Sequence, residues 1–339
     1  MSSVKKILST LAIILVCNHV FATIRTCSNN NTALGQYTLS AAIGASANYD
    51  TVYVSGSLLT YNEVIITKPI TLIGTGFNPQ KQNPLVSRMA KLRIFSDEVN
   101  LVGLEVDSIK FDVGGYECFA YNCLINNIKV EHDNSTLGLY GCIVKNSFVL
   151  TCNIPKTVCI NSIIYPQIQF LSSTSVVLNF RNCIFLYPGN FMSCSGTYDP
   201  YEGCYNNIFY GSVADITGGT PNPSGTGKGN FHHNVSYPSV FPDDDGNNIV
   251  ANPFFVNVPA PPVAFSLNHN FHLQPTSPAL LNLGDNANQR GIYSTFYPQY
   301  IFRDNGIPAI PTIQTMSVTP TTVLSGQSIQ VNFSSKTNQ

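Results

Sequence analysis

Three carboxylates lie close together in the sequence and could support acid–base or metal chemistry. Glu105 and Asp107 are two residues apart on a predicted strand, so their side chains point to the same outward face. Asp112 is expected beside them, on the neighbouring coil of the chain. Such a cluster could bind Ca²⁺ or supply a general acid and a general base. A solvated face, with Lys110 as counter-charge, explains the same residues equally well.

A second group of oxygen ligands lies in the run Asp243-Asp244-Asp245-Gly246-Asn247-Asn248. Asp243, Asp245 and Asn247 occupy alternate positions around a glycine turn, and oxygen donors of this kind are what Ca²⁺ prefers. The glycine is the fourth residue of the run, whereas an EF-hand loop has it sixth. A polar turn between coils is the alternative. We therefore expect no cofactor, with a structural Ca²⁺ ion at this run as the one exception.

The histidines support a weaker metal hypothesis. His232, His233, His269 and His272 could approach one another across adjacent coils and bind a transition metal. His232 and His233 are neighbours in sequence, so on a strand they point to opposite faces. This alternation argues against a shared site.

Five cysteines recur at a near-constant interval. This repeat indicates the fold that positions the candidate carboxylates and histidines. The gaps between them are 19, 17, 24 and 21 residues, for Cys123, Cys142, Cys159, Cys183 and Cys204. A period near 20 residues is typical of a solenoid, whose coils bury their apolar faces on one another. Short β-branched runs lie between the cysteines, and Asn beside them suits tight left-handed turns. The sequence predicts an all-β fold, a single-stranded right-handed parallel β-helix with about 20 residues per coil and capped ends.

The chain divides into four predicted segments. Residues 1–22 resemble a signal peptide, with two lysines before a short apolar run and a small-residue cleavage site. Residues 23–50 are expected to cap the first coil, and 51–305 to form the parallel β-helix. A β tail or attachment segment is predicted at 306–339.

The thiols are expected to be structural. If the five cysteines occupy equivalent positions on parallel coils, their Cβ atoms lie about 4.8 Å apart, beyond the roughly 3.5–4.5 Å that a disulfide needs. Ten cysteines less Cys17 of the leader leave nine, an odd number that excludes complete pairing within one chain. We therefore expect stacked, buried thiols.

Charge and composition narrow the choice of partners. The net charge is −1 and only 10% of residues are charged, so no basic surface is predicted for nucleic acid. No segment after the leader is long and apolar enough to span a bilayer. The mature protein is expected to be a secreted or cell-surface monomer without a transmembrane span. A polysaccharide or a surface protein is the expected partner.

Several segments together resemble the right-handed parallel β-helix proteins of the pectin-lyase-like superfamily, in the branch of exported bacterial proteins without an assigned activity. The similarity covers roughly residues 45–295. It is carried by Val64–Gly76, Asn182–Phe185, Asn206–Phe209, Asn252–Asn257 and Asn270–Ala279.

The resemblance implies polysaccharide chemistry and also allows a test of it. Enzymes of that superfamily hydrolyse acidic polysaccharides with clustered aspartates, or cleave them with Ca²⁺ and an Arg or Lys base. The sequence contains no Gly-His-Gly, no Arg-Ile-Lys and no Trp, and its only Asp-Asp lies at 243–245. Arg181 is the best-placed candidate for a lyase base, but no acidic cluster accompanies it in sequence. Catalysis of either kind is therefore disfavoured.

The sequence leaves three functional hypotheses. We expect an exported, non-catalytic protein that binds carbohydrate or a partner protein through the faces of the β-helix. The first alternative is a polysaccharide lyase or glycoside hydrolase of the pectin-lyase-like fold. The second is a purely structural surface spacer. The first hypothesis rests on fold analogy, which by itself is a weak argument for function.

Overall fold

The structure of the protein is a computed structural model. It describes residues 23–29, 37–80, 85–112, 117–131, 133, 136–151, 156–171, 177–198, 203–218, 220–221, 231–239, 247–281, 284, 288–295, 297–308, 311–319 and 330–337. The predicted leader at 1–22 lies outside these residues, and so do Asp243 and Asp245.

Two parallel β-sheets built from short strands dominate the described chain. The ten-stranded sheet contains, in spatial order, Ile24–Cys27, Thr51–Val54, Thr71–Ile73, Val99–Val102, Glu117–Tyr121, Thr136–Tyr140, Lys156–Ile160, Val177–Arg181, Cys204–Tyr205 and Phe231–His232. The fourteen-stranded sheet follows the path Val64–Ile66, Leu92–Ile94, Glu105–Phe111, Leu124–Val130, Ile143–Leu150, Ile163–Ile164, Ile184–Phe185, Ile208–Tyr210, Val235–Tyr237 and Ile249–Val250. Its remaining strands are Arg88–Met89, Ile168–Phe170, Asn190–Cys194 and Val213–Thr217. A separate parallel pair joins Thr197–Tyr198 to Thr220–Pro221.

The chain alternates between the two sheets, so that each circuit adds a strand to both. Register partners in adjacent strands of the ten-stranded sheet are 19 to 29 residues apart, as in the pairs Asn100–Phe119 and Thr71–Asn100. Every strand pair in the two large sheets is parallel. The predicted all-β parallel solenoid is confirmed.

The apolar core lies inside the solenoid, because alternate residues of each strand point inward. In Thr51–Val54, for example, the second and fourth residues are buried. Phenylalanines fill the later circuits, where the rings of Phe185 and Phe209 stack with centroids 4.9 Å apart and Phe191 packs edge-on against both.

The thiols are also interior. All eight cysteines among the described residues are buried, and none of them forms a disulfide. Burial raises the pKa of Cys27 and of Cys183 to about 12. Because the thiolate is the reactive form, these thiols are unreactive near neutral pH. The expectation of buried thiols is confirmed for the described residues.

One corner of the solenoid is formed by left-handed residues, each of which directly follows a strand of the ten-stranded sheet. Their φ angles lie between 50° and 63°. Glycine adopts this conformation freely and asparagine tolerates it, which explains the predicted role of Asn at the turns. The residues are Gly103, Asn122, Gly141, Asn161, Asn182, Asn206 and His233.

The residues that directly follow the six left-handed residues from Asn122 to His233 point inward, and Asn248 continues their row in the next circuit. Together they form what we call the turn ladder: Cys123, Cys142, Ser162, Cys183, Asn207, Asn234 and Asn248. The five recurring cysteines therefore do not all occupy equivalent positions. Three belong to the turn ladder, whereas Cys159 and Cys204 lie in the ten-stranded sheet on either side of Phe180. A thiol is small and apolar enough to fill either buried position.

Hydrogen bonds connect the turn ladder from one circuit to the next. A ladder side chain accepts from the backbone N–H of the ladder residue one circuit earlier, as Ser162 Oγ does from Cys142 at 3.1 Å. It also donates to a carbonyl of the preceding circuit, as Ser162 Oγ does to Leu139 at 3.2 Å. The corner thereby satisfies backbone groups that are buried away from water.

The N-terminal end contributes more than a cap. Ile24–Cys27 pairs in parallel with Thr51–Val54, so the predicted cap at 23–50 includes a strand of the first circuit. The helix Leu39–Ala45 follows, and Thr38 Oγ1 accepts a hydrogen bond from the N–H of Ala41 at 3.2 Å. The other described helices are Pro278–Leu281 and the 3₁₀ turn Pro298–Tyr300. None of the helices in the described chain has the length and apolar character needed to cross a bilayer.

After Val250 the chain stops coiling and turns back. The described residues of 252–308, called the returning segment, run along the outside of the left-handed corner towards the first circuits. From Arg290 onwards the contacts proceed from late circuits to early ones. Arg290 donates to the carbonyl of Asn234, the carbonyl of Tyr300 accepts from Asn161 Nδ2, and the carbonyl of Asn305 accepts from the N–H of Phe77. The parallel coils thus end well before the predicted boundary at 305. Pro253, three residues after the last parallel strand, has no N–H with which to continue pairing.

The remaining strands pair antiparallel, outside the coils. Phe255–Asn257 pairs with Asn270–Leu273 inside the returning segment. Pro311–Thr319 pairs with Gln330–Thr337 in the segment that the sequence predicts as a β tail.

Candidate functional site

Two of the predicted acid–base carboxylates share the outer face of the fourteen-stranded sheet. Glu105 and Asp107 are both half-buried and flank the buried Val106. Glu105 accepts two hydrogen bonds from Arg88, at 2.8 Å from Nε and 3.0 Å from a terminal nitrogen. Asp107 Oδ1 accepts a hydrogen bond from Asn126 Nδ2 at 2.6 Å. Each carboxylate therefore already has a strong donor.

Asp112 does not lie on the neighbouring coil, so that expectation is wrong. The strand Glu105–Phe111 is longer than the sequence indicates and runs directly into Asp112. Its carboxylate is 3.0 Å from Arg93 Nε and 3.0 Å from Lys110 Nζ. Burial raises the pKa of Asp112, but the hydrogen bonds from Arg93 and Lys110 outweigh it and the pKa is lowered. A general acid needs a raised pKa, so this arrangement suits a stabilising ion-pair network better.

Arg181, the candidate lyase base, lies on the outer face of the ten-stranded sheet in a stack of planar groups. Its Nε donates to Asn179 Oδ1 at 3.0 Å, and its guanidinium carbon is 4.8 Å from the centroid of the Tyr205 ring. His232 stacks on the same ring with centroids 5.1 Å apart. Both faces of Tyr205 are thus covered, and only ring edges point outward. A sugar would need a ring face for stacking, so this row favours stabilisation of the sheet.

The tyrosines of earlier circuits are covered in the same way. Tyr140 stacks on Tyr121 at 5.1 Å and on Tyr300 of the returning segment at 4.1 Å. These contacts explain why Tyr140 is buried although it belongs to the outward row. The aromatic strip of the ten-stranded sheet therefore has few ring faces to offer a ligand.

The structure brings together none of the predicted metal ligands that it describes. Of the Ca²⁺ candidates, Asn247 is described and exposed, and its carbonyl accepts a hydrogen bond from Arg290 at 3.2 Å. Asp243 and Asp245 lie outside the described residues. His269 is 3.4 Å from Tyr165 Oη, whereas His272 stacks on Tyr293 at 3.8 Å. Within the described chain, no group of three or more His, Cys, Asp or Glu side chains could hold a metal ion.

A cleft of about 350 Å³ opens on the outer face of the fourteen-stranded sheet. This volume lies within the range of small-ligand sites. Its lining combines a cation, amides, a hydroxyl and aromatic rings, and it contains no carboxylate among the described residues. The lining residues are Lys145, Asn146, Ser147, Phe148, Tyr165, Pro166, Gln167, Gln169 and Tyr187.

The cleft forms because the strands of this sheet split in successive circuits. The strand Ile143–Leu150 has one more residue than its neighbour at Lys145–Asn146, which is a β-bulge. In the next circuit, strand pairing stops after Ile164 and resumes at Ile168. In the circuit after that, strand pairing stops after Phe185 and resumes near Met192. Bulges re-aim side chains in this way and are common beside functional sites.

The polar groups of the cleft are well suited to recognising hydroxyls. Gln167 Nε2 donates to the carbonyl of Asn190 at 3.0 Å, which fixes the amide and leaves its oxygen as an acceptor. Asn146 is exposed, and Gln169 is half-buried. Tyr187 is half-buried too, and its ring stacks on no other ring in the described chain. The cleft therefore offers a ring face that no other ring of the described chain covers.

The returning segment packs against one side of the cleft. The ring of Phe265 meets Tyr165 edge-on at 5.4 Å, and the Nζ of Lys145 lies 4.7 Å from the centroid of the Phe265 ring. His269 is close to the Tyr165 hydroxyl, and burial lowers the pKa of His269. A neutral imidazole can therefore accept or donate at this position near neutral pH.

Sequence reasoning missed every residue of the cleft, although a signal was present. Of the four Tyr-Pro pairs in the sequence, three follow soon after a short apolar strand, at 165–166, 187–188 and 237–238. Proline cannot donate to a sheet ladder, so a repeated Tyr-Pro indicates that the strands are interrupted at one place in successive coils. Two of these pairs contribute to the cleft.

Comparison of the chain with known protein families, with curated proteins and with solved structures finds no match. Function is therefore argued from the geometry of the cleft and the chemistry of its lining.

Proposed function

We propose that this protein is an exported, non-catalytic binding protein that holds a short stretch of a polysaccharide in the cleft. The observation that carries the proposal is the lining of the cleft: the unstacked ring of Tyr187 lies among the amides of Asn146, Gln167 and Gln169. Amides both donate to and accept from sugar hydroxyls, and an aromatic ring packs against the apolar face of a sugar. The leader-like segment at 1–22 supports export.

The lining also bears on whether bound sugar is cleaved. Hydrolysis of a glycosidic bond ordinarily requires two carboxyl groups on opposite sides of it. The described lining of the cleft contains none, and Glu105 and Asp112 are held in ion pairs outside it. These observations support binding without turnover. A pectin-lyase-like relationship, which the sequence suggests, is compatible with either outcome.

One observation favours the alternative of a polysaccharide lyase. Lys145 lies in the cleft, and a lysine is one of the groups that can abstract a proton in such a reaction. Under this alternative Lys145, rather than Arg181, would be the base. Appearance of unsaturated sugar ends or of new reducing ends during incubation with a polysaccharide would establish turnover and refute the binding-only proposal.

Binding is tested by titration calorimetry with a panel of neutral and uronic-acid oligosaccharides. For a ligand that binds, replacing Tyr187 or Gln169 by alanine is expected to weaken affinity about fivefold or more, as each removes a contact worth roughly 1 kcal/mol. Gln299→Ala is the matched control, because Gln299 is an exposed amide that does not line the cleft. Equal affinity of all three variants, or no binding across the panel, would reject the proposal.

A further inference from the structure

Lys145 differs from the other described cations on the outer face of the fourteen-stranded sheet. Those cations lie within 3.1 Å of a carboxylate oxygen, whereas no described carboxylate lies within ion-pair distance of Lys145. A lysine without an ion-pair partner ordinarily samples many rotamers in water. The paired cations are Arg88, Lys91, Arg93, Lys110 and Lys129.

An aromatic ring from a distant part of the chain takes the place of the carboxylate. The Nζ of Lys145 lies 4.7 Å from the centroid of the Phe265 ring, within the range of a cation–π contact. The ring is itself fixed, because it packs edge-on against the buried Tyr165 at 5.4 Å. Phe265 is half-buried and packs against the apolar cluster that attaches the returning segment to the corner of the solenoid.

We propose that Phe265 is a positioning residue, which holds the ammonium group of Lys145 at the cleft so that a ligand meets a cation already in place. A side chain that is ordered before binding loses less rotamer freedom when the ligand arrives, and affinity rises accordingly. The returning segment thereby contributes to recognition although Phe265 does not line the cleft. The consequence for affinity rests on the proposed function, whereas the placement of Lys145 is a property of the free protein.

The placement is tested by NMR on protein with labelled lysine, without any ligand. Protons held over an aromatic face are shifted upfield by the ring current, so the ε-methylene signal of Lys145 is expected upfield of the other lysines. Lys145→Arg identifies the signal by its disappearance. The upfield shift should persist in Phe265→Tyr, which keeps the ring, and vanish in Phe265→Leu, which keeps most of the apolar volume.

A matched control separates this effect from general loosening of the returning segment. Phe302 is buried in the same apolar cluster but contacts Tyr293 instead of Lys145. Phe302→Leu should lower the melting temperature and leave the Lys145 shift in place. For any oligosaccharide that the wild type binds, we expect Phe265→Leu to weaken affinity about three- to tenfold, and Phe265→Tyr and Phe302→Leu to stay within about twofold.

The possible outcomes separate this inference from the proposed function. A Lys145 signal without an upfield shift in the wild type overturns the inference, and this measurement needs no variant at Phe265. Loss of the shift in Phe265→Leu with unchanged affinity overturns the claim that positioning aids binding. The expected shift pattern in a protein that binds no sugar supports the placement of Lys145 and rejects the carbohydrate proposal.

Discussion

Replacing Asn234 by valine tests whether the turn ladder holds the circuits together. The Asn234 side chain is completely buried. Its Oδ1 accepts from the backbone N–H of Asn207 at 2.8 Å, and its Nδ2 donates to the carbonyl of Cys204 at 2.8 Å. Valine has a similar volume and can do neither, so two hydrogen bonds to backbone groups in the apolar interior would be lost.

The expected loss follows from those two groups. A buried donor or acceptor without a partner costs about 1–3 kcal/mol, so we expect Asn234→Val to lower the free energy of unfolding by about 2–5 kcal/mol. Asn248 Oδ1 also loses the 3.1 Å bond from Asn234 Nδ2, but it keeps the backbone N–H of residue 234 at 2.8 Å. The damage should therefore concentrate on the side towards Asn207.

The chain provides its own control for this substitution. Ser162 occupies the equivalent position in an earlier circuit of the turn ladder. Its hydroxyl accepts from a backbone N–H and donates to a backbone carbonyl, as the Asn234 amide does. Asn234→Ser should therefore retain at least half of the stability that Asn234→Val loses. Urea titration followed by circular dichroism gives the free energies, and hydrogen exchange at the Asn207 amide should accelerate in the valine variant. A loss below about 1 kcal/mol for valine, or equal losses for valine and serine, would refute the reasoning.

Two further predictions concern the returning segment and the ion-pair network. Arg290 is buried and donates to the carbonyls of Asn234 and Asn247 at 2.7 and 3.2 Å. Arg290→Met should therefore lower the free energy of unfolding, measured by urea titration, by about 2–4 kcal/mol and expose 252–308 to limited proteolysis. Unchanged digestion would contradict that anchoring role. The pKa of Asp112 is lower in the folded protein than in the unfolded chain, where it is about 3.9. The ionised carboxylate therefore stabilises the fold above that pH, and this stabilisation is lost as the pH falls through the folded pKa. The stability difference between wild type and Asp112→Asn should therefore shrink below about pH 4, and a difference that does not change with pH would count against the network.

Much of the fold could be read from local patterns. The interval near 20 residues between cysteines predicted stacked coils, and Asn122, Asn182 and Asn206 mark left-handed turns because asparagine tolerates a positive φ. The thiols were correctly placed inside. These features depend on properties of single residues, which are the same wherever the residue occurs.

The cleft could not be derived in this way. Whether Lys145 and Gln169 meet depends on the bulge at Lys145–Asn146 and on the breaks in pairing that follow, and these shift the register between circuits. The same holds for Asp112, which was expected on the neighbouring coil. It lies on the same coil as Glu105, because the strand Glu105–Phe111 is longer than the sequence indicates. A one-residue change of register moves side chains to another face, and no local pattern reports it.

By itself, the sequence determined that this chain builds parallel coils with apolar residues and thiols inside, because a repeated period requires each coil to bury its face on the next. Only the tertiary structure decided that the coils end at Val250 and that the chain then returns along the corner. It also decided that Phe265 meets Lys145, 120 residues earlier in the chain. Contacts between such distant residues depend on how the whole solenoid stacks, so a local pattern in the sequence does not encode them.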